Sequence, residues 1–349
     1  MYMTRSSLPC LLFLLLIITG CTTKESGSRE FTDDRPVALR VLTFRHLPQD
    51  ADLVAAFEQR RNLNVEVEVQ PASAILARAA SGAGMNADVV IMPSLETTTK
   101  LRSYNVLQPF FVNSFTNGDV ADIFIDNEGY FSGLTRWTMA TVYNPNAVAS
   151  GEAETYQGIL EAALRGVRVG VAHPDSSGLA GVVAGINAVL NPTAASYLAQ
   201  GITQKAAGGA TGNDYAQLNR MLAGEVDMAL VSSGELFRWI LNGNPAHYEA
   251  GKVWRIRYPQ TGATGDNMAN MTCLTVTANS PHRQLALDYI DYLYERPVQE
   301  QLSSAYFEYP AQSFAETDNY LFTVKTTPGR TVPSSVVEEN LPGAWEILR

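Results

Sequence analysis

Hydrophobic and polar positions follow two alternating patterns between residues 37 and 107. Short apolar or strictly alternating runs predict β-strands, and runs with apolar residues every three or four positions predict amphipathic helices. Six segments follow this order, namely VALRVLTF (Val37 to Phe44), DADLVAAFEQRRN, VEVEVQP, SAILARAASG, ADVVIMP and ETTTKLRSYNVL. The run ADVVIMP is apolar throughout, which is typical of a strand buried on both faces. A β-α-β-α-β-α order predicts a parallel sheet with right-handed crossovers.

A second set of strand and helix patterns occupies residues 166–302. Its segments are GVRVGVAH (Gly166 to His173), SSGLAGVVAGINAVL, AQLNRMLAGEVDMALVSS and TCLTVTANSPHRQLALDYIDYLYERPVQEQL. The last segment predicts a strand followed by one long amphipathic helix, because Leu287, Ile290 and Leu293 recur at helical spacing. Both sets together predict an α/β protein.

An apolar run near the start of the chain, LPCLLFLLLIIT (Leu8 to Thr19), follows the positively charged Arg5. Its length is typical of a secretory signal peptide and is too short to span a bilayer comfortably. The stretch ITGC, which ends at Cys21, resembles the lipobox of bacterial lipoproteins. That resemblance implies a lipoprotein signal peptide over 1–20, acylation of Cys21, and a lipid-anchored protein that faces the periplasm or the cell exterior. A plain signal peptide with a chance cysteine is the alternative, and the polar, aperiodic residues 21–36 are interpreted as a flexible tether.

Composition restricts the classes of partner. The chain carries a formal net charge of -10, which argues against a nucleic-acid partner and against a basic membrane-binding face. Once Cys10 leaves with the signal peptide and Cys21 is acylated, only Cys273 remains, so no disulfide can form within one mature chain. Cys273 lies in the apolar run MTCLTVTA and is predicted to be a small core residue.

The sequence motifs of common enzymes are missing from the chain. It contains no G-x-S-x-G nucleophile elbow, no P-loop, no H-E-x-x-H pair and no cluster of cysteine and histidine. Its four histidines, at positions 46, 173, 247 and 282, are too scattered to have the spacing of metal ligands. We therefore expect no catalytic residues, and the sequence argues against a hydrolase.

Five stretches, taken in order, carry a resemblance to a known family. They are VLTFRHLPQD, ADVVIMPSLETTTKLRSYNVLQP, GLTRWTMATVYNPNAV, LNRMLAGEVDMALVSS and ANSPHRQLALDYIDYLYERPVQEQLSSAYFEYPAQ. In order and spacing they resemble the ferric-iron-type extracellular solute-binding proteins of ABC importers. The resemblance implies the type II periplasmic-binding-protein fold, an α/β architecture of two lobes, each a mostly parallel sheet flanked by helices.

The resemblance also implies how the two lobes are joined. Hinge crossings are expected near 139–144 and near 265–271. Lobe 1 would then comprise residues 37–138 together with 271–349, and lobe 2 would comprise residues 139–270. Loops and helix N-termini at the carboxyl ends of the strands would face a cleft that closes on a ligand.

The same resemblance implies a substrate-binding component of an ABC importer. Such a protein captures a small-molecule solute, docks on a permease in the cytoplasmic membrane and transforms nothing chemically. We expect a monomer with no resident cofactor, in which ferric iron would be a transported ligand. A binding module that reports its ligand to a membrane receptor remains an alternative, since the sequence does not separate sensing from import.

Family members that bind ferric iron typically present a His, a Glu and two adjacent Tyr to the metal. By resemblance, His46 falls on the His position, the Glu position is occupied by Pro93, and the Tyr pair is replaced by Gly234 and Glu235. His46 and Glu235 are therefore the only metal ligands that the resemblance supplies, whereas hard cations favour several anionic oxygen donors. We expect a small anionic or organic solute, with ferric iron and a synergistic anion as the alternative ligand.

Small polar residues occupy the family's anion-contacting positions. The resemblance places Ser176, Ser177 and Gly178 at the start of an apolar helix, whose free backbone N–H groups attract an anion. An ordinary serine N-cap with water would give the same sequence. Further candidate ligand-binding residues, each with an alternative role in a turn or cap, are Ser94, Asn213, Ser232 and Ser233.

The arginine that often neutralises the anion in this family is replaced by Trp137 and Met139, with Arg136 one position away. Trp137 can offer an aromatic face to an organic cation or ring, or it can pack at the hinge. A shift of register would bring Arg136 into the cleft instead. The complete ligand-binding prediction is His46, Ser94, Trp137, Ser176, Ser177, Gly178, Asn213, Ser232, Ser233 and Glu235.

Overall fold

The computed structural model describes residues 37–176, 178–261, 267–317 and 330–348. The predicted signal peptide, Cys21 and the tether lie outside these ranges. Ser177 and the first two residues of the predicted crossing at 265–271 also lie outside them.

The first set of predicted elements is confirmed. It consists of β1 (Val37–Thr43), α1 (Pro48–Arg61), β2 (Asn64–Val69), α2 (Ala72–Ala80), β3 (Val89–Met92) and α3 (Leu95–Arg102). Strand β1 pairs in parallel with β2 on one side and with β3 on the other. Val89, Val90 and Met92 are buried, as the continuous apolar run predicts.

The rest of the chain adds short strands, a long central strand and further helices. These are β4 (Leu107–Gln108), α4 (Asn113–Thr116), β5 (Phe131–Tyr143), α5 (Tyr156–Leu164), β6 (Val169–Val171), α6 (Leu179–Val189), α7 (Pro192–Lys205), α8 (Asp214–Leu222), β7 (Met228–Ser232), α9 (Ser233–Leu241), α10 (Pro245–Val253), β8 (Arg255–Arg257), β9 (Met268–Thr277), α11 (Arg283–Leu293), α12 (Arg296–Tyr306), β10 (Tyr309–Pro310), β11 (Arg330–Thr331) and α13 (Ser334–Leu348). The strands of the second predicted set and its helices are therefore present, with one difference at α11.

That difference corrects the prediction of one long helix after β9. The helix ends at Leu293, and α12 begins at Arg296 with Pro297 in its first turn. Proline has no N–H to donate to the carbonyl four residues earlier, and its ring clashes with that carbonyl. A continuous helix through Pro297 would lose this bond at Leu293, so the chain forms two helices in place of one.

Strand β5 joins two parts of a mixed sheet whose order is β2-β1-β3-β9-β5-β7-β6. Its residues from Phe131 to Thr138 pair antiparallel with β9, and those from Met139 to Tyr143 pair antiparallel with β7. The change of partner occurs at Met139, where the first hinge crossing is predicted. Parallel pairing is found on either side of this antiparallel centre, between β1, β2 and β3 and between β6 and β7.

The C-terminal helix α13 contacts both sides of the molecule. It packs against α6 and α7, which the sequence assigns to lobe 2, and against α3, which the sequence assigns to lobe 1. Trp345 and Ile347 pack on the main core cluster. Cys273 is a free, fully buried thiol, which confirms its predicted place in the core. Within the described ranges, no helix has the length and apolar character needed to cross a bilayer.

A buried carboxyl group connects α3, α6 and β9. Glu96 is buried, and its Oε2 accepts a hydrogen bond of 2.9 Å from Asn270 Nδ2. Burial raises the pKa of Glu96, and hydrogen bonds from Asn270 and from the Gly181 amide partly oppose the rise. Gly181 is required at this point, because a Cβ atom there would collide with the Glu96 carboxylate and the Asn270 amide.

We expect Glu96→Gln to change how stability depends on pH. Because the folded state holds the Glu96 proton more tightly than the unfolded chain does, the wild-type protein loses stability as the pH rises from 4.5, the ordinary value, through the raised pKa. Glutamine has no proton to lose. The variant should therefore match the wild type near pH 4.5 and melt about 2 °C or more higher at pH 8, as measured by thermal denaturation.

Glu249→Gln provides the matched control, since the Glu249 carboxylate is exposed on α10 and pairs only with the exposed Lys252 in its own helix. An exposed pair of this kind contributes little to stability. The role given to Glu96 would be contradicted by one outcome. In it, the melting temperature of Glu96→Gln changes from pH 4.5 to pH 8 in parallel with those of the wild type and of Glu249→Gln.

Candidate functional site

A cavity of about 280 Å³ opens at the carboxyl ends of β1, β3 and β7. On one side it is lined by Arg45 after β1 and by Ser94 after β3. On the other side lie Asp214 at the start of α8 and Ser232 at the end of β7. Strand ends in an open α/β sheet are the usual place for a ligand, because loops and helix N-termini converge there. The predicted cleft therefore corresponds to this cavity.

Most of the predicted ligand-binding residues line the same cavity. They are Ser94, Trp137, Ser176, Gly178, Asn213, Ser232 and Glu235. Two predicted residues lie elsewhere. His46 is exposed beside a separate, smaller cavity that Asp50 and Tyr306 also line. Ser233 is buried, and its Oγ accepts a hydrogen bond of 3.3 Å from the Thr138 amide, so it serves the sheet crossing rather than the cavity.

The hydroxyl and amide side chains of the cavity are engaged in local structure. Asn213 Oδ1 accepts from the Ala216 amide at 2.9 Å and so caps α8. Ser176 Oγ donates to the carbonyl oxygen of Gly212 at 2.9 Å. Ser94 Oγ lies 2.9 Å from Thr97 Oγ1 in the first turn of α3. Cap and turn roles, which the sequence left open beside ligand binding, are therefore present at these positions.

The N-terminus of α6, predicted to receive an anion, already faces a carboxyl group of the protein. The Gly181 amide in the first turn of α6 donates to Glu96, which belongs to α3. A carboxylate is the type of group that a helix N-terminus stabilises. The protein's own side chain thus takes part of the position that the sequence assigns to a solute anion.

Trp137 packs between the two sides of the cavity and is nearly fully buried. Its Nε1 donates to the carbonyl oxygen of Pro93 at 3.2 Å. Its ring lies so close to Gly178 that any Cβ atom at that position would overlap it. The packing role that the sequence left open is present, while the edge of the indole still contributes to the cavity wall. Arg136 does not line the cavity and lies near the rings of Phe124 and Tyr309.

An ionic network forms one wall of the cavity. Glu308 Oε1 accepts from Arg45 Nη1 at 2.7 Å and from Arg238 Nη1 at 3.3 Å, and Arg238 Nη2 donates to Glu235 Oε1 at 2.7 Å. Glu308 Oε2 accepts from the Thr135 and Thr272 hydroxyls. Burial alone would raise the pKa of Glu308, but the two guanidinium groups outweigh it and hold that pKa at about 2. Glu308 is therefore ionised at neutral pH.

Arg45 is held by this network at one edge only. Its guanidinium carbon lies 3.6 Å from the centre of the Tyr306 ring, which fixes the plane of the group. Nε and Nη2 are buried and have no hydrogen-bond partner within the described part of the chain. The side chain is 12% exposed, so these two donors are withheld from water at a cost of about 1–3 kcal/mol each.

Asp214 is the counterpart of Arg45 across the cavity. Its Oδ2 accepts from the Ser232 amide at 2.7 Å, whereas its Oδ1 has no partner among the residues that the structure describes. The residue is 4% exposed. Burial raises the pKa of the Asp214 carboxyl to about 7, the Ser232 amide opposes the rise and the negative charge of Glu235 adds to it.

Sequence reasoning missed Arg45, Asp214, Arg238 and Glu308. Arg45 stands at the carboxyl end of a parallel strand, and Asp214 directly follows the predicted Asn213, so the strand-end rule could have found both. Arg238 lies one helical turn after Glu235. Glu308 reaches the cavity from the junction of α12 and β10, more than 260 residues from Arg45, and no local signal points to it.

Metal ligands do not cluster in the described ranges. No group of three or more His, Cys, Asp or Glu side chains there is arranged to hold an ion. His46 lies outside the main cavity and Glu235 lines it, so the two residues that the resemblance offers as ligands line different cavities.

Comparisons with known proteins identify the family. A family model described as "Bacterial extracellular solute-binding protein" matches residues 52–321. Iron uptake protein A1 of Synechocystis is 22% identical over 295 residues, which cover 84% of this chain and 81% of that protein. Among solved structures, a ferric binding protein from Campylobacter jejuni has a TM-score of 0.79 at 19% identity, covering 89% of this chain and 98% of that one.

The IdiA (FutA) protein of Trichodesmium, in complex with iron and citrate ligands, has a TM-score of 0.77 at 20% identity and covers 88% of this chain and 97% of that one. At these identities the solved structures establish the shared two-lobed fold. The family model spans most of the chain and includes nearly every residue of the cavity. The chain therefore belongs to the bacterial extracellular solute-binding proteins and is the substrate-binding component of an ABC importer, not an enzyme.

Proposed function

We propose that the cavity binds a small anionic or organic solute and that the chain delivers it to its permease. The observation that carries this proposal is the pair of buried donors on Arg45, Nε and Nη2, that have no partner among the described residues; Arg45 itself lines this cavity and the smaller one beside His46. A solute oxygen would supply the missing acceptor, and a charge-assisted hydrogen bond of this kind is stronger than a neutral one.

The proposed lobes are residues 37–138 with 271–349, and residues 139–270. The change of partner strand at Met139 supports a hinge at that point. Arg45 and Asp214 then belong to different lobes, and a solute that contacts both favours the closed form. A ligand shifts such an equilibrium only through contacts that one form makes and the other lacks.

Ferric iron with a synergistic anion is the second candidate ligand. The names of Iron uptake protein A1 and of the IdiA (FutA) complex favour it, since those proteins are described with iron. Pro93 and Gly234 at two of the family's metal positions speak against it, because neither offers a side-chain donor. Glu235 is also committed to Arg238 at 2.7 Å.

We further propose that the protein is exported, acylated on Cys21 and held at the bacterial membrane as a monomer. The lipobox-like stretch ITGC and the polar residues 21–36 support the anchor and its tether. Export agrees with the extracellular family to which the chain belongs. A ligand-sensing role at a membrane receptor would use the same cavity and the same anchor.

A thermal-shift screen tests the nature of the solute. The protein comprising residues 22–349 is melted with phosphate, sulfate, small carboxylates, small amines, amino acids, ferric chloride with carbonate, and ferric citrate. A ligand that binds only the folded state stabilises it by about 2.7 kcal/mol at a hundredfold excess over Kd. We expect at least one iron-free solute to raise the melting temperature by about 5 °C.

A parallel series with an iron chelator present separates solute binding from metal binding. The proposal requires the stabilisation to survive the chelator. Stabilisation by ferric iron alone, together with a visible charge-transfer band that the chelator abolishes, would contradict it and would establish the second candidate.

Membrane anchoring is tested by Cys21→Ser in the full-length chain. We expect the wild type in the membrane fraction, because several acyl chains anchor a protein far more strongly than one. Cys21→Ser should appear in the soluble fraction or remain uncleaved, as seen by fractionation and by mass spectrometry of the N-terminus. Cys10→Ser is the matched control and should stay anchored. Equal fractionation and equal N-terminal mass for wild type and Cys21→Ser would exclude acylation at this residue.

A further inference from the structure

The charges that line the cavity do not balance. In its described wall, two guanidinium groups face the carboxyl groups of Asp175, Asp214, Glu235 and Glu308. Both terminal nitrogens of Arg238 are engaged, since Nη1 donates to the Tyr306 carbonyl at 2.6 Å and to Glu308, and Nη2 donates to Glu235. Arg45 has two N–H donors without a partner among the described residues. Carboxyl groups outnumber guanidinium groups in the lining, which is therefore acidic as a whole. A solute that carries only negative charge would be attracted at one point and repelled over most of the wall.

The two unsatisfied groups of the wall have opposite character. Arg45 offers two N–H donors that lack an acceptor, and Asp214 offers one oxygen that lacks a donor, as judged over the described residues. These nitrogen and oxygen atoms are buried, and both residues line the same cavity. Leaving either group without a partner costs stability, so the favourable occupant supplies an anionic oxygen at one end and an N–H donor at the other.

We propose that the solute is a small zwitterion, with an anionic oxygen group bound by Arg45 and an ammonium group bound by Asp214. This inference rests on the proposed function and specifies its solute class. The ammonium group offsets the excess of carboxyl groups, and the anionic group pairs with the guanidinium edge that Glu308 leaves free. Phe44, Pro93 and Trp137 supply apolar wall for the short carbon chain between the two charges. The cavity volume of about 280 Å³ suits a molecule of amino-acid size.

Matched sets of solutes test the proposal on wild-type protein comprising residues 22–349. Isothermal titration calorimetry at pH 8 compares glycine, 3-aminopropanoate, 4-aminobutanoate and 5-aminopentanoate with the carboxylates and amines of equal chain length. We expect at least one zwitterion to bind about tenfold or more tightly than both of its singly charged analogues. The proposal is overturned if the carboxylate or the amine alone binds as tightly, or if no zwitterion binds at 10 mM.

Two substitutions then test which residue binds which charged end of the zwitterion. Asp214→Asn keeps the size of the side chain and should weaken the zwitterion and the amine by about tenfold while leaving the carboxylate unchanged. Arg45→Gln should weaken the zwitterion and the carboxylate to a similar extent and spare the amine. Glu249→Gln and Arg102→Gln are the matched controls, because Glu249 is an ion-paired carboxylate, Arg102 is an ion-paired arginine, and neither lines the cavity.

The same data keep this inference separate from the proposed function. If Arg45→Gln fails to fold, the wild-type series and Asp214→Asn still decide the result. Preference for a singly charged solute that survives a chelator overturns the zwitterion and leaves the proposed function intact. Stabilisation by ferric iron alone, with no organic or anionic solute bound, overturns both.

Discussion

The cleft depends on one buried carboxylate held between two guanidinium groups. Glu308 accepts from Arg45 and Arg238, and two threonine hydroxyls satisfy its second oxygen. Removing one partner of a buried pair costs about 3–5 kcal/mol, because the remaining charge stays in a site that water does not reach. Glu308 therefore ties Arg45 to Arg238 of α9, and the Tyr306 ring fixes the plane of the Arg45 guanidinium group. Once that plane is fixed, only the Nε and Nη2 edge of Arg45 is left for a solute.

A second consequence concerns the small polar residues around the cavity. The Asn213 side chain caps α8, and the Ser176 hydroxyl donates to the carbonyl oxygen of Gly212. The N-terminus of α6 faces Glu96. Side chains that are hydrogen-bonded within the protein shape the cavity, whereas polar groups without a partner are available to bind a solute. On this basis the selectivity of the site rests on Arg45 and Asp214, and the serine-rich loops position the wall that surrounds them.

Hydrophobic periodicity predicted the α/β elements because it is a local feature, whereas the family resemblance supplied seven of the residues that line the cavity. The resemblance also predicted that the strands cross near Met139. Periodicity failed at Pro297, where a single residue outweighs an otherwise continuous amphipathic pattern. Sequence reasoning missed Glu308 for a different reason. The partners of Glu308 are distant in sequence, and only the folded chain brings Glu308 beside Arg45. Likewise, no sequence pattern reveals that the Glu96 side chain lies at the N-terminus of α6. This position requires the close approach of Glu96 to α6 that the missing Cβ atom of Gly181 permits.

The likeness to iron-binding proteins and the chemistry of this cavity are compatible, because fold and ligand are set by different residues. The sheet order and the crossing at Met139 depend on buried apolar strands, which tolerate changes at their ends. Pro93 and Gly234 stand at two positions where the resemblance expects metal ligands, and neither side chain offers an oxygen donor. The cavity wall is acidic, and Arg45 can balance only part of that charge. A solute that carries its own positive charge is then the simplest way for the two proposed lobes to close without bringing unpaired carboxyl groups together.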